Sequence, residues 1–148
     1  MQQIIEQLNH WIVKVPTELN PMSEAELSLK PQPHKWLKKE IMGHLCDSAI
    51  ANLDRFIKIQ YEKQPFVFSS YNQDQWVERQ NYQDTPLEEI IGLWISLNKR
   101  IVTVISRIPN EKLLYQCEIG NQEMQTLEWL IQDYLEHMDH HLKDQVFI

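Results

Sequence analysis

Apolar residues recur along most of the chain at the spacing of one helix face. Between Gln2 and Val15, the positions Ile4, Ile5, Leu8, Trp11, Ile12 and Val15 follow the i, i+3, i+4, i+7 pattern. Pro16 is expected to end that helix. A second helix is expected from Trp36, just past Pro33, to about Tyr61, with Leu37, Ile41, Leu45, Ala49, Leu53 and Phe56 on its apolar face. The third has the clearest start: Thr85 as N-cap, Pro86 in the first turn and Glu88 completing a capping box. Leu87, Ile90, Ile91, Trp94, Leu97, Ile101, Val104, Ile105 and Ile108 hold its period for about six turns. Pro109-Asn110 stops it. The last helix is expected after Thr126 and runs to Val146.

The connections are uneven. Residues Thr17 to Lys35 contain Pro21, Pro31 and Pro33, with Ser23 and Glu26 spaced to cap a short helical turn. That length suggests a segment that wraps the body or lines a site. Phe66 to Asn81 carries Phe66, Phe68, Tyr71 and Trp76 without a sustained period, and is expected as a loop with one helical turn. Gly120-Asn121, between short polar-apolar arms in Leu114 to Gln125, is the one good hairpin signal. Four long amphipathic helices describe an all-α four-helix bundle with a short β-hairpin before the last helix. Sustained heptads are missing, which disfavours a coiled coil.

A length of 148 residues suits one domain, residues 1–148, burying roughly two-thirds of its unfolded surface. Three glycines fit a helical chain, and a net charge of −7 argues against a nucleic-acid binder. The one basic cluster, Lys35, Lys38 and Lys39, is small. Cys46 and Cys117 lie far apart and read as buried thiols of a reducing compartment. No secretory leader pattern and no apolar run near ~18 residues occurs, so a cytoplasmic protein without a membrane span is expected.

Chemistry concentrates near the C-terminus. His137 and His141 stand one helical turn apart, so both imidazoles can address one point. At about 100° per residue, Leu127, Ile131, Tyr134, Met138 and Leu142 form the buried stripe of the last helix. His141 and His137 fall on its shoulder, about 20° and 60° from Tyr134, whereas His140 lies about 120° away in solvent. Gln145 continues the His137–His141 row. On the second helix His44 occupies the edge of the apolar face, with Asp47, Ser48, Asn52 and Arg55 along the same margin. Such a polar margin needs partners, and a polar cavity between the second and last helices would supply them. Three imidazoles from two helices would make a facial ligand set with open positions. By spacing alone, half-buried histidines with no metal remain an equal alternative. His10 and His34 are isolated and read as structural or exposed.

The segment Trp36-Leu37-Lys38-Lys39-Glu40-Ile41-Met42-Gly43-His44-Leu45-Cys46-Asp47-Ser48, with Asn52 and Arg55, resembles the second-helix signature of the DinB/YfiT-like superfamily. Tyr134 to Gln145 resembles its last-helix signature, and Asn72-Gln73-Asp74-Gln75-Trp76 its loop between the second and third helices. Two positions depart from the family pattern. Leu37 replaces a small hydroxyl cap, and His34 stands where glycine is frequent; both concern the helix entrance. The resemblance implies a four-helix bundle, often dimeric, with a divalent metal on His44, His137 and His141. Zinc and nickel come ahead of iron and manganese. Neutral imidazole alone suits zinc, nickel, copper and iron. The family includes assigned metal-dependent hydrolases, S-transferases using low-molecular-weight thiols such as bacillithiol or mycothiol, and a thiol-dependent isomerase.

The expected function is therefore metal-dependent activation of a low-molecular-weight thiol for transfer to an electrophilic small molecule. One alternative is a hydrolase using metal-bound hydroxide; another is a non-enzymatic, metal-stapled bundle that dimerises. Arg55 is the candidate to hold a cosubstrate carboxylate, against the simpler pairing with Asp47, Asp54 or Glu62 on its own helix. Asp47 and Asp133 are candidate general bases, against the favoured role of hydrogen bonding the ligand imidazoles. Trp94 and Trp129 are expected in the core rather than at a dimer contact.

Overall fold

The amphipathic stretches form helices α1 (Gln2–Leu19), α3 (Lys38–Lys58), α5 (Leu87–Ser106) and α6 (Leu127–His141), with short α2 (Glu24–Leu27) and α4 (Gln73–Arg79) between them. The computed structural model describes residues 1–33 and 35–148, so His34 lies outside the described residues. The four long helices make the bundle: α3 packs against α5 and α6, and α1 against α5 and α6. Ile4, Leu8, Trp11 and Val15 from α1 meet Ile41, Leu45 and Phe56 from α3 in one core with Trp94, Ile101 and Ile105 of α5 and Leu127, Ile131 and Tyr134 of α6.

Several boundaries differ from the sequence pattern for local reasons. Pro16 does not end α1; the helix continues one turn further to Leu19, and the Asn20 N–H donates to the Pro16 carbonyl at 3.1 Å. Leu19 is fully buried, so continuing the stripe offsets the bond that proline cannot donate. Helix α3 begins two residues after Trp36. There the Glu40 carboxylate accepts the Leu37 N–H at 3.0 Å, the half of a capping box that a leucine can still make. The Thr85 cap does not form. Its hydroxyl donates to the Asn81 carbonyl at 2.8 Å, because Asn81 turns left-handed (φ 55°) into the 3₁₀ turn Tyr82–Asp84. Helix α5 starts at Leu87, after Pro86, with Glu88 and Glu89 beside its N-terminal dipole.

The Ser23–Glu26 capping box and the Thr126 cap do form; the Thr126 hydroxyl accepts the Trp129 N–H at 3.1 Å. The expected hairpin pairs β2 (Gln116–Glu118) with β3 (Met124–Thr126), Cys117 opposite Gln125. Gly120, Asn121 and Gln122 take positive φ at its tip. One strand was not legible: β1 (Phe66–Val67) lies parallel to β2, Phe66 beside Cys117. The expected single helical turn after it is two-turn α4, capped by the Asn72 side chain on the Gln75 N–H at 3.0 Å. Past α6 the chain widens into a π-helix, Leu142–Val146.

Trp94 is buried as expected, but Trp129 is 38% exposed and lines a cleft. Lys38 and Lys39 are almost fully buried, so the small basic cluster presents no open positive patch. Cys46 and Cys117 are buried free thiols. Among the described residues, no helix is long and apolar enough to cross a membrane.

Candidate metal centre

Helices α3 and α6 bring His44, His137 and His141 together across 93 positions of sequence. His137 Nε2 lies 3.1 Å from His44 Nε2 and 3.2 Å from His141 Nε2. One ion at about 2.1 Å from each nitrogen would set them about 3.0 Å apart in octahedral and about 3.4 Å in tetrahedral coordination. Both separations from His137 fall in that interval, and all three ligand atoms lie within 4.8 Å of one another, so the donor set suits a divalent ion. His140, one residue from the pair, points outward and bonds Asp144 at 2.8 Å. His10 is exposed beside Trp11.

The environment keeps the imidazoles neutral. Burial, reinforced by the neighbouring histidines, lowers His44 to about 3 and His137 to about 4. His141 is lowered by burial as well, with the Gln145 hydrogen bond acting against it. Their lone pairs are therefore free near neutral pH, as metal ligands require. A neutral imidazole carries one N–H, and the geometry places that of His141 on Nδ1, donating to Gln145 Oε1 at 2.6 Å. Nε2 then presents its lone pair to the common point. Gln145 sits in the π-helical turn, so this support depends on the widened end of the last helix. His44 is held differently: the Trp36 ring packs against it at 4.6 Å between centroids, and its Nδ1 is buried without a partner among the described residues.

Two openings reach the cluster. A cleft of about 300 Å³, lined by Ser48, Asn52, Arg55, Tyr71 and Asp133 among others, ends at His137. A crevice of about 160 Å³ between Trp36, Lys35 and Gln145 ends at His141. Gln73, at the start of α4, borders both.

The carboxylates take unexpected positions. Asp47 is fully buried and accepts from Tyr82 Oη at 2.7 Å and Gln80 Nε2 at 3.0 Å, while its other oxygen has no partner among the described residues. Gly43 makes this possible: a Cβ there would fall 2.1 Å from the Tyr82 ring. Burial raises the Asp47 carboxyl above its ordinary range, against the two hydrogen bonds. Neither Asp47 nor Asp133 hydrogen-bonds an imidazole among the described residues. Asp133 lines the His137 cleft, and burial with nearby Glu136 raises its carboxyl too. Arg55 does not pair along its own helix; it donates to the Ser69 carbonyl at 3.1 Å and lies against Phe68. Gln145 was visible in sequence as a continuation of the histidine row. Trp36 and Gln73 stood in two of the family-like segments without a role assigned, and Phe68 carried no signal, since only the tertiary fold brings these residues to the site.

The family described as the DinB superfamily matches residues 14–144. A protein of Oceanobacillus iheyensis, named "Putative metal-dependent hydrolase OB0413", is 22% identical over 116 residues, covering 74% of this chain. The chain spans 66% of that relative's own length. A solved structure described as "YfiT from Bacillus subtilis is a probable metal-dependent hydrolase with an unusual four-helix bundle topology" superposes with a TM-score of 0.87 at 19% identity. It covers 97% of this chain and 82% of the other, a likeness of fold.

Proposed function

The chain belongs to the DinB superfamily, and from that premise we propose that it is a divalent-metal-dependent enzyme acting on small molecules. The convergence of three neutral imidazoles, of which His137 borders one open cleft and His141 another, carries this reading. The metal dependence in the printed names of the Oceanobacillus and Bacillus proteins supports it. When bound, the metal supplies Lewis-acid chemistry, lowering the pKa of a nucleophile beside it.

The nucleophile we infer is a low-molecular-weight thiol, transferred to an electrophilic carbon. Cys46 and Cys117 are buried, and burial raises both thiols, so neither offers a thiolate to the cleft. The chain thus takes its nucleophile from outside. A divalent metal brings bound water to a pKa of about 7, and a thiol, with a free value of about 8.5, ionises more readily still beside the same charge. Asp47, the buried candidate base, accepts from Tyr82 and Gln80 through one oxygen and lines neither cleft that reaches the histidines. His44, His137 and His141 would hold the ion, with Gln145 orienting His141 and Trp36 packed over His44.

A second reading, hydrolysis, is favoured by one observation: Asp133 lines the cleft one turn before His137, with a raised carboxyl suited to taking a proton. Elemental analysis of the protein beside His141→Ala comes first; about one divalent ion per chain, lost in the variant, is expected. The loaded protein is then assayed with cysteine and glutathione against alkyl-halide and epoxide electrophiles, and separately with ester and amide substrates. Thiol conjugation unaffected by Asp133→Asn supports transfer. Ester or amide cleavage abolished by that substitution supports hydrolysis. Neither activity in the loaded protein rejects both and leaves a metal-stapled bundle. Equal metal in wild type and His141→Ala refutes the site.

A further inference from the structure

A cleft more spacious than the one at His137 lies beside it. It encloses about 860 Å³ between the second half of α3, the stretch 62–69 that includes β1, and Trp76. Three of its lining residues, Arg55, Phe68 and Tyr71, also line the cleft that ends at His137. The Arg55 guanidinium therefore stands in a wall common to both.

Its setting differs from that of an ordinary surface arginine. Cζ lies 4.1 Å from the Phe68 ring centroid and 5.9 Å from that of Tyr71. Among the described residues its one hydrogen bond, from Nη2 to the Ser69 carbonyl, leaves most of the N–H fork free. Among the described residues no carboxylate forms an ion pair with it; the nearest in sequence, Asp54, pairs with Lys58 at 3.2 Å. A half-buried guanidinium held by aromatic faces loses hydration, and the nearby Asp54 carboxylate, paired with Lys58, offsets that only in part. Its planar fork suits a carboxylate in bidentate contact.

We propose that the two clefts form one elongated site for a carboxylate borne in the middle of a small molecule. Arg55 holds the carboxylate, one arm of the ligand runs to the histidines, and the other lies along Phe66, Phe68 and Trp76. The class is that of 2-substituted carboxylates, of which N-acyl amino acids are simple members. A carboxylate at the end of a molecule would leave one cleft empty. Along α3, Arg55 lies about 16 Å beyond His44, and helical side chains lean toward the N-terminus, so the guanidinium reaches back toward the histidine cleft. The arm toward the histidines rests on the metal-centred reading above; the contact with Arg55 does not.

The test is calorimetric titration of N-acetyl-L-phenylalanine, its C-terminal amide and phenylacetate into metal-stripped and zinc-loaded protein. The acid is expected to bind at least tenfold more tightly than the amide and more tightly than one-armed phenylacetate, in both protein forms. Arg55→Gln should lose at least tenfold for the acid and leave the amide unchanged. Arg55→Lys, which keeps the charge without the fork, should fall between, and serves as the comparison if Arg55→Gln does not fold. Zinc content should be unchanged in both variants. Because the stripped protein is titrated too, failure of the metal reading leaves the anion site measurable. Acid and amide binding equally, neither binding, or acid binding only the zinc-loaded protein and equally in Arg55→Gln, would each overturn the assignment.

Discussion

Acidifying the metal-free protein should cost stability through the histidine cluster. His44 has no exposed surface and, with His137, is held well below the ordinary histidine value of 6.5, at about 3 and about 4. Both are neutral in the folded chain at pH 5, whereas in the unfolded chain both are largely protonated. The unfolded state then binds more protons, so the stability present above about pH 6.5 is lost as pH falls toward the folded values. Each group contributes a slope of about 1.4 kcal/mol per pH unit in that window. At pH 5 the loss is about 2 kcal/mol per histidine and about 4 kcal/mol for the pair, a large part of the 5–15 kcal/mol typical of a domain. Asp47, whose carboxyl burial raises, works in the opposite sense: it contributes stability at low pH that is lost as pH rises through its folded value. Urea unfolding of metal-stripped wild type and His44→Gln/His137→Gln at pH 7.5 and pH 5 separates the two, because Asp47 is common to both proteins. Wild type should lose about 4 kcal/mol more than the variant. Parallel losses would show that the imidazoles are not held neutral by the fold.

Three further outcomes follow from named contacts. Gln145→Ala removes the acceptor 2.6 Å from His141 Nδ1 and should weaken zinc binding about 10- to 100-fold in chelator competition, with the histidines intact. Gly43→Ala drives a Cβ into the Tyr82 ring and strains the bond from Tyr82 to Asp47. A loss of about 1–3 kcal/mol in denaturant unfolding is expected, and unchanged stability would mean that Tyr82 does not pack there. Tyr134→Phe removes the donor 2.6 Å from buried Asn98 Oδ1 and should cost about 1–3 kcal/mol in thermal unfolding, with zinc content unaffected.

The periodic apolar positions of α1, α3, α5 and α6 determined the bundle, because a helix face that wide is stable only when buried against others. The same arithmetic separated His137 and His141 from His140, since angular position on a helix depends only on spacing. His44 was legible as a candidate for the same reason: it lies at the margin of the α3 stripe. Tertiary structure decided what lies between the helices. Strand β1 is two residues long and gains its identity only by pairing with β2, some 50 positions away, so no local period could reveal it. Asn98, at 0% exposure among the apolar residues of α5, is satisfied by Tyr134 from another helix. Asp47 turned to Tyr82 and Gln80 rather than to an imidazole because Gly43 lets an aromatic ring close over α3. Arg55 had three carboxylates within reach on its own helix and its end, yet Phe68 and the Ser69 carbonyl, brought over by β1, hold it in the wall between two clefts. Spacing along one helix selects which side chains can face inward; the partner each one meets depends on chain segments whose approach is set by packing.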